Sequence, residues 1–384
     1  MNNRERMLTA YRRRQPDVVP VSPELWYDVA VALDADCTWQ DVCLGRYPLW
    51  RAQLAAHRHF GSAAWLIAAA RGGAARGEIV REETVTPEGE LELRCRGRCA
   101  KGELTWRSRS NATFDAWPVE RPIKDMARDL PAFETLFMPD PATMDVSEVR
   151  EALSGVGGDG IVTAYAGSLF FSFIAAHMEG GPEAAILAML DEPRIFEEFQ
   201  ARYIAHLTAV ARRVIEAGPE ILLLDNGYST TGIISPALYA RWDLPVIRAV
   251  AEVTHKAGPS TQLGAGRVLH LHQHGRCRAL MDMIVAAGAD LVDPFERPPS
   301  GDTPDLGEIK RAYGGRIAIR GNMHAHETLL RGTPEDVERE AAECIRAAAA
   351  GGGFILASGD GVIAGTPEEN IFRMVEAGER YGKY

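Results

Sequence analysis

From about residue 160 onward the chain repeats one unit: a short run rich in Val, Ile and Leu, then a longer segment with helical periodicity. The runs are 160–165 (GIVTAY), 220–225 (EILLLD), 267–272 (RVLHLH), 290–295 (DLVDPF), 316–321 (RIAIRG) and 353–358 (GFILAS). Uninterrupted apolar runs of this length, each after turn residues, are the pattern of parallel strands buried on both faces. The intervening segments are Pro182–Ala217, Pro236–Ala257, Ala279–Ala287, Pro304–Tyr313, Pro334–Ala350 and Pro367–Tyr381. Four of them open on a hydroxyl residue followed by proline: Ser235-Pro236, Thr303-Pro304, Thr333-Pro334 and Thr366-Pro367. A side-chain oxygen at the N-cap and proline at the first helical position make a strong helix start. Val18–Val21 and Ala64–Ala69 add two strands upstream, bringing the total to the eight of a (β/α)8 TIM barrel. A doubly wound open sheet is the competing arrangement, but no Gly-rich dinucleotide fingerprint follows any strand.

Residues 78–109 break the pattern. They alternate polar and apolar residues around turns at Pro87-Glu-Gly89 and Lys101-Gly102. This predicts an antiparallel β-hairpin inserted beside one mouth of a single barrel domain spanning 1–384. Composition sets the remaining bounds. The chain has 384 residues, 46% hydrophobic, and 42 basic against 53 acidic side chains, for a net charge of −11. An acidic chain without a basic block is unsuited to nucleic acid. The six cysteines, Cys37, Cys43, Cys95, Cys99, Cys277 and Cys344, lack framework spacing and read as reduced thiols of a cytoplasmic protein. The N-terminus has no apolar core of a signal peptide, and the apolar run 63–70 falls short of the ~20 residues that cross a bilayer. The expected protein is soluble, with no membrane partner.

In a parallel barrel the residues just beyond the strands' C-terminal ends converge on one face, where chemistry takes place. Those positions hold Trp26 and Tyr27, Tyr165, Asp225 and Asn226, His272 and His274, Glu296, Asn322 and His324, and Asp360. The densest stretch is 270–275 (HLHQHG). A two-residue period turns His270, His272 and His274 to the same side. His270, the deepest, reads as a hydrogen-bonded core residue. His272 and His274 at a strand end can share one metal ion, with a carboxylate from another strand as third ligand. The same pair can also act without metal as proton donors. Asp360 lies between Gly359 and Gly361, which suits either a tight turn or a carboxylate held into the mouth.

Across nearly its whole length the sequence resembles the uroporphyrinogen decarboxylase superfamily, which includes corrinoid-dependent methyltransferases. The resemblance is carried by 4–8 (RERML), 15–21 (QPDVVPV), 234–236 (ISP), 272–275 (HQHG), Gly321-Asn322, 330–337 (LRGTPEDV), 351–361 (GGGFILASGDG) and 366–370 (TPEEN). It implies a (β/α)8 barrel. Decarboxylases of this kind carry an arginine-rich loop after the first strand; here 21–30 (VSPELWYDVA) contains none. The methyltransferase branch binds zinc through a His-x-Cys pair and a later Cys, and the matching positions are His272, His274 and Asp360. The resemblance therefore implies a metal-assisted enzyme, zinc being the favoured ion, that transfers a methyl group between a small substrate or corrinoid carrier and a thiol. Asp225, Glu296 and Tyr165 are its catalytic candidates, and Trp26, Tyr27, Asn226, Asn322 and His324 its substrate-binding candidates. Cobalamin would arrive on a separate corrinoid protein, and a homodimer is a further expectation. The alternatives are a lyase, namely a cofactor-free decarboxylase of a porphyrinogen-like or other carboxylated substrate, and a non-catalytic small-molecule binding barrel.

Overall fold

The structure, a computed structural model, describes residues 1–74, 76–258 and 266–384. Its strands, in chain order, are β1 (Ala64–Ala69), β2 (Glu78–Val85), β3 (Leu91–Cys99), β4 (Gly102–Ser110), β5 (Trp117–Glu120) and β6 (Gly160–Ser168). They continue with β7 (Ile221–Asn226), β8 (Val268–Gln273), β9 (Leu291–Pro294), β10 (Ala318–Met323) and β11 (Phe354–Ser358). Seven of them form a parallel sheet in the order β1-β6-β7-β8-β9-β10-β11. Neighbours in space are neighbours in the β/α sequence, with helices between them, which is a TIM-barrel-like arrangement.

The strand expected at 18–21 is reduced to isolated bridges, Val21 with Leu356 in parallel and Val18 with Lys383 in antiparallel sense. Pro20 is one reason, since it has no N–H to give to a ladder. The segment nevertheless reaches both edges of the sheet. Ser22 N–H donates to Leu356 O (2.8 Å), and Ala63 N–H donates to Val21 O (2.8 Å).

The inner faces of the strands pack Trp65, Ile161, Ile221, Leu223, Leu291, Ala318 and Ile355 into one cluster with Met7, Leu8 and Tyr11. The last three belong to the N-terminal helix Asn3–Tyr11, whose capping box at Asn2 and Glu5 starts it squarely. This helix plugs the end of the sheet opposite the strands' C-termini, and the Arg4–Glu220 ion pair fastens it to the start of β7.

Two of the four anticipated caps form. Ser235 accepts from Leu238 N–H, and Thr333 makes a full capping box with Asp336. At 304–313 the cap is Asp305, two residues later than expected, while Thr303 is buried; at Thr366 no side-chain cap forms. The long segments 182–217 and 236–257 are each two helices, broken at Glu192 and at Asp243.

Asp243 is fully buried at that break and accepts the Phe171 N–H (2.8 Å). Burial lifts its carboxyl to about 7, well above the usual 3.8. The folded protein thus keeps a proton that the unfolded chain releases above pH ~4, so this residue's contribution to stability falls as pH rises to about 7 and is flat beyond. Asp243→Asn should remove that slope. Unfolding free energies from denaturant titrations at pH 5 to pH 8 should show the wild type losing ground to the variant by an amount on the order of a few kcal/mol.

The insertion is larger than a hairpin ending at residue 109. It is a four-stranded antiparallel sheet, β2-β3-β4-β5, that runs on to Glu120. The helix Met126–Phe137 covers one side, with Leu136 against Gly97. Tyr27 donates its hydroxyl to Asn111 O (2.9 Å), tying the sheet to the helix Tyr27–Leu33 that follows the Val21 segment. All six cysteines are free thiols. Among the described residues no helix is long and apolar enough to cross a membrane.

Candidate active site

At the C-terminal ends of the strands a cavity of about 570 Å³ opens. Trp26, Ile67, Tyr165 and Leu223 form its apolar walls. Its ionisable lining is Glu24, Arg71, Glu148, Asp225, His272, His274 and Asp360. Arg71 is the one basic side chain other than histidine in that lining, and it is paired with Glu148. The cavity is therefore acidic. A second hollow, about 490 Å³ on the antiparallel sheet, is rich in arginine. Its arginines are already matched: Arg94 with Glu92, Arg98 with Glu103 and Arg107 with Glu120.

Strand β8 and the residue just past its end set the three histidines at successive depths. His270 is fully buried, with Nδ1 3.1 Å from the Tyr11 hydroxyl and Nε2 2.6 Å from Asp293 Oδ1. Burial pushes its pKa down, so it is neutral, donating from Nε2 and accepting at Nδ1. His272 donates from Nδ1 to the same Asp293 oxygen (2.7 Å), while its Nε2 faces Glu24 Oε1 at 3.6 Å. Burial works to lower the His272 pKa, but the Asp293 and Glu24 carboxylates outweigh it and the net shift is upward. His274 donates from Nδ1 to Glu296 Oε1 (3.0 Å), which also accepts the Gly275 N–H (2.8 Å). Here too burial is overcome, by Glu296, Asp360 and Glu24, and the imidazolium is held up to about 10. The His272 and His274 rings meet edge to face at 4.3 Å.

Beneath them lies a buried hub. Asp293 also accepts from Arg320, whose guanidinium stacks 4.0 Å from the Trp65 ring centroid and donates to Ser22 O (3.1 Å). The Arg320 guanidinium and the two imidazoles that donate to Asp293 hold its carboxyl far below the usual range despite its complete burial. The hub itself is assembled from four strands, β1, β8, β9 and β10, and the Val21 segment.

Tyr165 reaches the cavity through a β-bulge, where the register to β7 shifts between Tyr165 and Gly167. Gly167 has φ +137°, and a Cβ there would lie 2.3 Å from Leu207, so glycine is required for that kink. The Tyr165 hydroxyl meets Ser168 Oγ at 2.8 Å.

Of the residues singled out from sequence, Trp26, Tyr165, Asp225, His272, His274 and Asp360 share this cavity. Their ligand atoms fall into three groups: Asp225 with His272 and His274, Asp360 with His274 and Glu296, and His272 with the buried His270 and Asp293. The three-residue set His272, His274 and Asp360 does not form one cluster among the described residues; Asp360 Oδ1 approaches His274 alone of the pair, 3.9 Å from Nδ1, the nitrogen already bonded to Glu296. Glu296 sits behind His274 as its partner. The other candidates face elsewhere. Tyr27 and Asn226 are buried, Asn226 within a cluster of Ser172 and Ser229. Asn322 donates to the carbonyls of Phe295 and Thr303, and His324 caps the turn 325–330 and points to Pro298 O. Sequence reasoning passed over Glu24, Asp293 and Arg320. Each stood in a stretch already assigned, and a charged residue inside an apolar run is the signal that could have marked Asp293 and Arg320.

The Uroporphyrinogen decarboxylase (URO-D) profile matches residues 120–381, more than half of the chain. The chain belongs to the uroporphyrinogen decarboxylase family. Within it, uroporphyrinogen decarboxylase of Coxiella burnetii is 25% identical over 197 residues, covering 50% of each chain. The Synechococcus sp. enzyme is 28% identical over 264 residues, covering 67% of this chain and 69% of its own. The chain thus spans about half the length of the first of these relatives. In three dimensions it is similar to a methyltransferase from Methanosarcina mazei, with TM-score 0.59 over 99% of both chains at 16% identity. That likeness speaks for the fold.

Proposed function

We propose that this family member is a metal-dependent group-transfer enzyme that moves a methyl group between a small substrate or a corrinoid carrier and a thiol. The observation that carries the reading is the pair of oriented imidazoles. Asp293 and Glu296 each hold one Nδ1–H, which leaves both Nε2 atoms for the cavity beside Asp225. Carboxylates that fix the outer nitrogen of a histidine are the usual support of a metal-binding imidazole. Glu24 strengthens the fit, its Oε1 lying 3.6 Å from His272 Nε2 at the cavity wall. His272, His274 and Asp225 would hold the ion, with Asp360 within reach of His274. All-nitrogen and oxygen donors suit zinc and also harder divalent ions. Bound there, a divalent ion supplies the Lewis acidity that keeps a thiol ionised at neutral pH. The chain's own residues do the rest: Asp293 and Glu296 fix the rings, while Trp26, Ile67 and Leu223 shield the reacting groups from water. The whole chain is then one (β/α)8-type barrel domain, with the Val21 segment closing it and the antiparallel sheet as an insertion.

The acidic lining also argues against the reaction for which the sequence relatives are named. A substrate carrying eight carboxylates needs cations, and the single cavity arginine is already engaged. Purified protein in an anaerobic assay should release no coproporphyrinogen from uroporphyrinogen; steady production would overturn this. One observation favours a second reading. His274 is kept protonated beside an open cavity, as a proton donor for decarboxylation of another carboxylic acid would be. Two measurements separate the readings: metal content of the purified protein, and thioether formation from methylcobalamin and a small thiol. About one divalent ion per chain with thioether formation supports methyl transfer, whereas metal-free protein that forms no thioether removes it.

A further inference from the structure

Two loops meet on one wall of the cavity. Glu24 N–H donates to Ser358 Oγ (3.0 Å), and Val362 N–H donates to Glu24 O (2.8 Å), so residues 24–26 are laced to the turn 359–361. A Cβ on Gly361 would lie 3.8 Å from Trp26 Cβ, which brings Asp360 alongside the indole. Glu24, Trp26 and Asp360 thus share this wall, and Tyr165 and Asp225 also line the cavity. The main chain of Glu24 does the lacing, which leaves its carboxylate available to a ligand.

The charges around this wall do not balance among themselves. Arg71 is taken by Glu148, and the His274 imidazolium by Glu296 behind it. Neither Asp225 nor Asp360 has an arginine or lysine partner among the described residues. Glu24 is the deeper signal. It is 5% exposed, yet neither of its oxygens accepts a hydrogen bond among the described residues. Its nearest cations, His272 and Arg320, each stand at 3.6 Å, and Arg320 is already committed to Asp293 and Ser22 O. Buried carboxylates are normally hydrogen-bonded, so Glu24 Oε1 calls for a donor from the cavity. A divalent ion on His272, His274 and Asp225 would balance Asp225 and a thiolate, and would still leave Glu24 and Asp360 to the rest of the substrate.

We infer that the small substrate of this cavity is a cation, an alkylammonium compound whose charged group sits on Trp26 within reach of Glu24 and Asp360. The inference rests on the proposed reading in taking this cavity as the place where the small substrate binds. An ammonium N–H supplies the donor that Glu24 Oε1 lacks, its charge meets that of Asp360, and an indole face attracts a cation. A cleft lined by carboxylates also concentrates cations ahead of binding. A carboxylate or sulfonate in the same place would face Glu24, Asp225 and Asp360 together, with Arg71 held by Glu148.

The test is a ligand-observed magnetic resonance titration of the purified full chain with three probes of one length: butylammonium, butan-1-ol and butanoate. Butylammonium should bind about tenfold or more tightly than butan-1-ol, and butanoate more weakly than either. E24Q and D360N should each lower the butylammonium affinity by roughly fivefold or more while leaving that of butan-1-ol unchanged. Circular dichroism separates lost binding from lost folding in E24Q, and Asp360, being exposed, gives a variant that does not depend on the core. The preference should persist after metal is stripped with a chelator, since the carboxylates and the indole recognise the charge. Absent butylammonium binding, equal affinity for butan-1-ol, tighter binding of butanoate, or variants that bind like the wild type would each overturn the inference. So would a preference that vanishes with the metal, which would mean that the amine was a metal ligand. Metal content and thioether formation are read separately. Metal-free protein that forms no thioether yet prefers butylammonium keeps this inference and removes methyl transfer; metal-loaded protein that forms thioether and prefers butanoate does the reverse.

Discussion

Asp293→Ala should cost about 3–5 kcal/mol of stability, the largest loss expected from any single change in this molecule. Asp293 and Arg320 are both fully buried, and one carboxylate serves Arg320, His270 and His272 together. Removing it leaves a guanidinium in the barrel interior with Trp65 and the Ser22 carbonyl as its remaining partners, and Glu24 Oε2 at 3.6 Å as the nearest anion. An uncompensated buried charge is far more costly than the intact pair is stabilising. Denaturant unfolding checks the figure. Adding Arg320→Met to Asp293→Ala should then recover part of the loss, because the stranded charge goes with it. A loss under ~1 kcal/mol for Asp293→Ala would mean that water or Glu24 takes over the carboxylate's role. The single variant should also lose activity beyond what unfolding explains, since His272 would no longer have a fixed tautomer.

How much of this was legible beforehand follows from which physical signals are local. The strands were readable because burial on both faces makes them continuous apolar runs, and β1 was read at its observed bounds, Ala64–Ala69. The 18–21 segment was read as a strand from its valines, yet Pro20 and its position between two sheet edges leave it with bridges alone. The insertion's extent was missed because β5 (Trp117–Glu120) is short and contains Pro118, which weakens any strand signal. At the site, a two-residue period was enough to predict that His272 and His274 face together. No local rule could show that Asp293, twenty-one residues past His272, would accept hydrogen bonds from both His270 and His272. That depends on strand register, as does the burial of Glu24. Asn226, Asn322 and His324 were assigned from their places after strand ends. The structure turns each toward backbone or neighbouring loops, a reminder that strand-end polar residues also hold loops together.

His272→Ala and His274→Ala should each abolish stoichiometric metal binding while leaving the sheet folded. Two imidazole nitrogens and one carboxylate are the smallest set that holds zinc and keeps a position open for water or thiol, with Zn–N distances of about 2.0–2.1 Å. Either deletion leaves a single imidazole in the Asp225 cluster. Equilibrium dialysis against zinc reads the loss, and far-ultraviolet circular dichroism reads the fold. Glu296→Gln tests the supporting role separately. The amide can still accept the Gly275 N–H but no longer holds His274 as a carboxylate does, so affinity should fall by roughly 10–100-fold without being lost. Metal uptake should also weaken as pH falls, since His274 must give up a proton that Glu296, Asp360 and Glu24 hold against burial up to about pH 10. Should the wild type take up zinc no better than the double variant H272A/H274A, the two histidines act as proton donors and the decarboxylation reading takes precedence.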